Sequence, residues 1–110
     1  MSEKKLVRDG IIDMIKKDGN TPIYRILDQD EYIDEVIKKF SEELNEYDQA
    51  EDKKDRITQL CDILELVNAL AMLDGASLSD IDIMRKAKEL KRGSFYKRIY
   101  LDDVIENNEN

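Results

Sequence analysis

The chain has 110 residues, 40% of them charged, and a formal net charge of −8. This length suits one domain, and the acidity argues against nucleic-acid binding, because phosphate contacts depend on clustered Lys and Arg. The absence of histidine and the single cysteine exclude histidine-based triads, the usual zinc sites and an intrachain disulfide. No apolar run approaches the roughly 20 residues of a membrane-spanning helix, so we expect no membrane association and a cytoplasmic location.

Two helices are predicted in the first half of the chain. Asp9 can cap a short helix that ends before Gly19. An extended connector then reaches Leu27, and either Asp28 or Asp30 can cap a long second helix. Apolar residues recur along this helix at the spacing of one buried face: Tyr32, Ile33, Val36, Ile37, Phe40, Leu44 and Tyr47.

The second half predicts two further helices. A charged link over 51–55 precedes a third helix over 56–73, whose apolar residues cover more than half of its circumference. Such a helix needs partners on more than one side, so we expect it in a subunit interface. A fourth helix is predicted over 78–91, and 95–101 could form a short strand. We therefore expect one all-α domain, a bundle of about four helices completed by dimerisation, over 1–104, and a polar tail over 105–110.

Carboxylates lie one turn apart on both long helices. Glu43 and Glu46 form one such pair and Asp62 and Glu65 the other, while Gln59 precedes Asp62 by one turn. Glu43 falls on the edge of the buried stripe, where an unpaired carboxylate is costly and a cation would explain its position. Oxygen ligands of this kind favour Mg²⁺, with Mn²⁺ as a second choice. The alternative is that these residues form solvated faces of a charge-rich protein.

Basic side chains accompany this acid cluster. Arg8 lies near the start of the chain, and the run 85–98 carries seven cationic residues against the single acid Glu89. Cations and a metal-binding acid cluster together suit a polyphosphate ligand. The alternative for the run is a solvated helix end favoured by the helix dipole. The candidates for phosphate contacts are Arg8, Lys88, Lys91 and Arg92.

Four segments in order carry a resemblance to a known family. They are Lys5 to Asp9, Glu42 to Glu46, Gln59 to Glu65 and Lys91 to Phe95. Together they resemble the all-α nucleoside triphosphate pyrophosphohydrolases, the MazG-like superfamily that includes phosphoribosyl-ATP pyrophosphohydrolase. The resemblance extends from Lys4 to about Val104.

This resemblance implies a ligand set for Mg²⁺. The family pattern is E-x-x-E followed, after a dozen or more residues, by E-x-x-D, and Glu43, Glu46 and Asp62 match three of its four positions. Gln59 stands where the family has Glu, which keeps an oxygen donor but removes a charge. It would be a weak or water-mediated fourth ligand. Glu46 would act on the attacking water, and Glu65 would be an additional acid.

The resemblance also implies a reaction and an assembly. The reaction would be hydrolysis of a nucleotide between its α and β phosphates, giving a monophosphate and pyrophosphate, in the removal of non-standard nucleotides. The assembly would be a homodimer or a dimer of dimers, and Tyr24 or Tyr47 would stack on the base or pack in the core. Two other functions stay open: a catalytically weakened homologue that binds nucleotide or a protein partner, suggested by Gln59, and an acidic helical scaffold.

Overall fold

The computed structural model describes residues 4–107, so the predicted polar tail lies partly outside the described residues. The described range holds four α-helices and no strand, which confirms the all-α class. None of these helices is long and apolar enough to cross a membrane. The chain separates into two compact units, Met1–Leu78 and Ser79–Asn110. The helices are α1 (Ile11–Lys17), α2 (Gln29–Gln49), α3 (Lys53–Leu73) and α4 (Leu78–Arg92).

The first unit is organised around the α2–α3 pair. The Asp28 carboxylate caps α2 by accepting from the backbone N–H of Glu31 at 2.9 Å, which decides between the two predicted caps. Asp52 caps α3 in the same way, so the charged link is shorter than predicted and α3 begins three residues earlier. The short connection over 50–52 turns the chain back, so α2 and α3 pack against each other as an antiparallel hairpin.

Two local predictions are wrong. Gly10, and not Asp9, occupies the N-cap position of α1, where no side chain caps the helix. The segment 95–101 forms no strand and leaves its apolar side chains exposed. A strand needs a neighbour for its backbone hydrogen bonds, and the described chain contains no second strand to provide them.

The α2–α3 seam holds little apolar core. Val36 on α2 is fully buried and Leu66 on α3 is 9% exposed, and no other apolar side chain between residues 4 and 107 is as buried. Large apolar side chains along α3 stay exposed: Ile57, Leu60, Leu64, Met72 and Leu73. The hairpin therefore covers one side of α3 and leaves the other side uncovered in the single chain.

The second unit contains α4, whose ion pairs follow its surface. Arg85 pairs with Asp82 at 2.7 Å and with Glu89 at 3.2 Å, and Lys86 also pairs with Asp82 at 3.2 Å. Exposed pairs of this kind contribute little to the stability of a helix, because water and salt screen them. Part of the basic run is thus neutralised on its own helix.

Candidate functional site

A groove of about 740 Å³ lies in the first unit between the N-terminal segment, α2 and α3. The N-terminal segment supplies residues 5–9, and the two helices supply their facing sides. Its lining is both apolar and charged, as is common for sites that bind small molecules. Four of the predicted site residues line it: Arg8, Glu43, Asp62 and Glu65.

Glu43 and Gln59 occupy equivalent positions on the α2–α3 seam. Glu43 lies six residues before the end of α2 at Gln49, and Gln59 lies six residues after the start of α3 at Lys53. Residues equally far from the connection of an antiparallel hairpin lie at about the same level. Each is also seven residues, or two helical turns, from a buried apolar residue of its own helix, and this spacing keeps a side chain on one face. The side chains of Glu43 and Gln59 therefore both lie on the helix faces that pack against each other.

One oxygen of each of these side chains is buried without a partner. Glu43 is 8% exposed, and within the described part of the chain neither its Oε2 atom nor the Oε1 atom of Gln59 receives a hydrogen bond. An unsatisfied buried acceptor costs about 1–3 kcal/mol. Both atoms are acceptors, so a cation would satisfy what the folded chain leaves unsatisfied.

The surroundings of Glu43 disfavour its charged form. Burial raises the pKa of its carboxyl, and the negative charges of Glu46 and Asp62 raise it further. The ammonium of Lys39, one turn earlier on α2, acts in the opposite direction. The carboxyl of Glu46 also approaches that of Glu43 closely enough to share a hydrogen bond. Glu43, Glu46 and Asp62 therefore repel one another around a position that is largely shielded from water, and a divalent cation would reduce this repulsion.

Arg8 neutralises one of these acids. Its Nη2 donates to Oδ1 of Asp62 at 2.8 Å, and the hydrogen bond together with the charges of Asp62 and Glu65 raises the pKa of the guanidinium. The side chains of Arg8 and Asp62 are 55% and 35% exposed, so the pair lies at the mouth of the groove. A cationic side chain and an acidic cluster therefore share this opening.

The donor set fits Mg²⁺ better than a metal enclosed by protein ligands. Between residues 4 and 107, no group of three or more Asp, Glu or Cys side chains converges closely enough to hold a metal ion. Mg²⁺ in nucleotide sites binds through one or two carboxylates and completes its shell with water and substrate phosphates. The buried oxygen of Glu43 and the carboxylate of Asp62 are oxygen donors of that kind in the groove lining. Gln59 is not part of that lining, although its amide oxygen is buried.

Other predicted residues are not part of the groove lining. Glu46 is exposed and acts on the groove through its contact with Glu43. Tyr24 and Tyr47 are outside the lining and partly exposed. The predicted phosphate contacts Lys88, Lys91 and Arg92 are exposed on α4 of the second unit.

Most other lining residues were not predicted as site residues, and three of them carry polar or aromatic groups that bear on binding. Lys39 precedes Glu43 by four residues, a spacing that puts it on the same face of α2 and could have identified it. Tyr32 also lines the groove and is the one aromatic residue in its lining among the described residues. Lys5 belongs to the same lining; it was predicted as part of the N-terminal basic segment but not as a phosphate contact.

No family model, no curated protein and no solved structure matches this chain. The class of protein is defined by the fold and the groove instead. The chain is an all-α protein whose two longest helices present acidic side chains to a groove that is also lined by Arg8 and Lys39.

Proposed function

We propose that this protein hydrolyses a nucleoside triphosphate, or a nucleotide like phosphoribosyl-ATP, between the α and β phosphates, with Mg²⁺ as cofactor. The products would be a monophosphate and pyrophosphate, and the role would be removal of non-standard nucleotides in the cytoplasm. The observation that carries the proposal is the pair of buried, unpartnered oxygens of Glu43 and Gln59. The family motif independently predicts both residues as metal ligands.

The residues have distinct roles in this proposal. Glu43 and Asp62 would hold the metal ion, Gln59 would contribute a neutral oxygen, and Glu46 would hold the ion and orient or deprotonate the attacking water. Bound Mg²⁺ would neutralise phosphate charge and favour attack at the α phosphorus. Glu65, exposed in the groove lining, would be an additional acid that adjusts the charge of the site.

The phosphate contacts divide into two groups. Arg8 and Lys39 line the groove beside the acids and could bind the charge of the departing pyrophosphate. For Lys88, Lys91 and Arg92 the proposal depends on their charge and exposure alone. A guanidinium can bind two phosphate oxygens at once, so we favour Arg8 over Lys39 as the main phosphate-binding residue of the groove.

The proposal includes a homodimer or a dimer of dimers. The α2–α3 hairpin buries two large apolar side chains and leaves uncovered apolar residues along both helices, among them Ile37, Leu44 and Leu64. Exposed apolar surface of this extent is typical of subunit interfaces. A second copy would complete the helical bundle that the first unit begins.

Pyrophosphate release across a broad nucleotide panel, with Mg²⁺ or Mn²⁺, tests metal, reaction and substrate together. We expect metal-dependent release from at least one nucleotide, reduced at least about 100-fold by Glu43→Ala, because the metal site loses its buried ligand. Glu42→Ala is the matched control, since Glu42 is the exposed neighbour on the same helix, and it should keep full activity. The absence of turnover with every nucleotide would refute the enzyme.

A second function is suggested by Gln59 itself. A neutral ligand at a position where the family carries Glu weakens the attraction for Mg²⁺, so the chain could bind nucleotide or a protein partner without turning it over. Gln59→Glu should then raise both Mg²⁺ affinity and activity. If neither the Mg²⁺ affinity nor the activity changes, Gln59 no longer supports a catalytically weakened homologue. A plain acidic scaffold is separated from both by thermal unfolding, because Mg²⁺ would not raise its melting temperature specifically.

A further inference from the structure

The Arg8 guanidinium is hydrogen-bonded to Asp62, a carboxylate that the proposed function assigns as a metal ligand. Arg8 and Asp62 are 54 residues apart in sequence, and their 2.8 Å contact links the N-terminal segment to α3. Both side chains are partly exposed, and a solvated pair of this kind can open without unfolding the helices. In the metal-free chain, Arg8 therefore neutralises the charge of Asp62 that a bound metal ion would otherwise neutralise.

We propose that Arg8 is an internal counter-ion that a divalent cation displaces from Asp62, after which Arg8 binds the phosphates of the nucleotide. This inference rests on the proposed function and adds an order of events to it. In the metal-free chain the guanidinium keeps the acid cluster partly neutral. In the loaded chain the same guanidinium is available to the substrate, so metal binding and phosphate binding are coupled through one side chain.

Charge determines the direction of this exchange. A guanidinium and a divalent cation on one carboxylate repel each other, and the repulsion is stronger in a groove than in open water. Glu65 lies one turn after Asp62 and also attracts Arg8. After displacement, Arg8 would thus keep a partner at the mouth of the groove, where a phosphate can approach it. Removing Arg8 should therefore favour the metal and disfavour the phosphate.

Calorimetric titration of the metal-free full-length protein measures both effects. We expect Arg8→Gln to bind Mg²⁺ about threefold more tightly, the size of an exposed ion pair. With saturating Mg²⁺, the same variant should bind inorganic tripolyphosphate about tenfold more weakly, because a charge-assisted contact is lost. Arg8→Lys keeps the charge and should keep a Mg²⁺ affinity close to that of the wild type. A purely structural role of Arg8 would not raise the affinity for Mg²⁺ while lowering the affinity for tripolyphosphate.

The matched control is Arg25→Gln. Arg25 also pairs with a carboxylate, that of Glu31, at 2.7 Å and on the surface, but it does not line the groove. It should change neither affinity. Thermal unfolding checks that each variant folds, and Arg8→Met provides a second variant without the charge.

The outcomes separate this inference from the function on which it rests. If the wild type binds Mg²⁺ but Arg8→Gln binds it equally or more weakly, displacement is refuted while the metal site stands. If Arg8→Gln leaves tripolyphosphate binding unchanged, the transfer of Arg8 to phosphate is refuted. If the wild type binds neither Mg²⁺ nor Mn²⁺ at millimolar concentrations, the metal site of the proposed function fails, and the inference fails with it.

Discussion

Two levels of the α2–α3 seam bury side chains of opposite character. Val36 and Leu66 each lie thirteen residues from the connection and form an apolar level, while Glu43 and Gln59 lie six residues from it and form a polar one. The two levels are two helical turns apart on the same faces. The apolar level stabilises the hairpin, whereas the polar level leaves two acceptors unsatisfied. A seam that needed only to fold could have been apolar at both levels, so the polar level is where function is to be sought.

The largest expected effect concerns the apolar level. Leu66→Ala should lower the free energy of unfolding by about 3 kcal/mol, since a buried leucine is lost from a seam with little other core. Urea unfolding followed by circular dichroism measures it. Leu90→Ala is the control, because Leu90 on α4 is 92% exposed and should cost less than about 1 kcal/mol. An equal cost for the two substitutions would mean that the burial of Leu66 in the seam does not stabilise the hairpin.

A smaller effect of opposite sign is expected at the polar level. Glu43→Met should raise the free energy of unfolding of the metal-free protein by about 1–2 kcal/mol, because an apolar side chain of similar length replaces an unpartnered acceptor. The same substitution should abolish any rise of the melting temperature with Mg²⁺. Glu42→Met on the exposed side should do neither. A destabilised Glu43→Met protein would mean that the carboxylate supports the fold, and the comparison of levels would fail.

The sequence predicted the periodic part of this arrangement better than its contacts. The apolar stripe placed Glu43 at the edge of the buried face of α2, and the structure buries it. The contact between Arg8 and Asp62 joins residues 54 positions apart, a pairing that depends on how the N-terminal segment packs and that no local pattern contains. The sequence predicts the start of α3 three residues too late, because Asp52 lies within a run of charged residues that resembles a link, whereas its carboxylate caps the helix.

The smallest expected effect is a dependence of stability on pH. Because the pKa of Glu43 is raised in the folded chain, its contribution to stability is complete below the unfolded value and is lost as the pH rises through the folded value. The free energy of unfolding of the metal-free protein should therefore fall as the pH rises from the unfolded pKa of Glu43 through its higher folded pKa, with a slope from this group below about 1.4 kcal/mol per pH unit. Glu43→Gln should remove this slope. The measurement is the difference between wild-type and variant urea unfolding across the series, with chelator present.

Glu31 provides the counterpart of opposite sign. The Arg25 guanidinium holds the pKa of Glu31 below its usual range, so the stability that this carboxylate contributes is present above the unfolded value and is lost as the pH falls through the folded value. Both Glu31→Gln and Glu43→Gln should therefore differ least from the wild type at the acidic end of the series. As the pH rises, Glu31→Gln should become less stable than the wild type and Glu43→Gln more stable. Parallel pH profiles for the two variants would show that net charge, and not the buried position of Glu43, governs the dependence. Diverging profiles would show that the pH dependence of stability arises from Glu43 at the polar level of the seam.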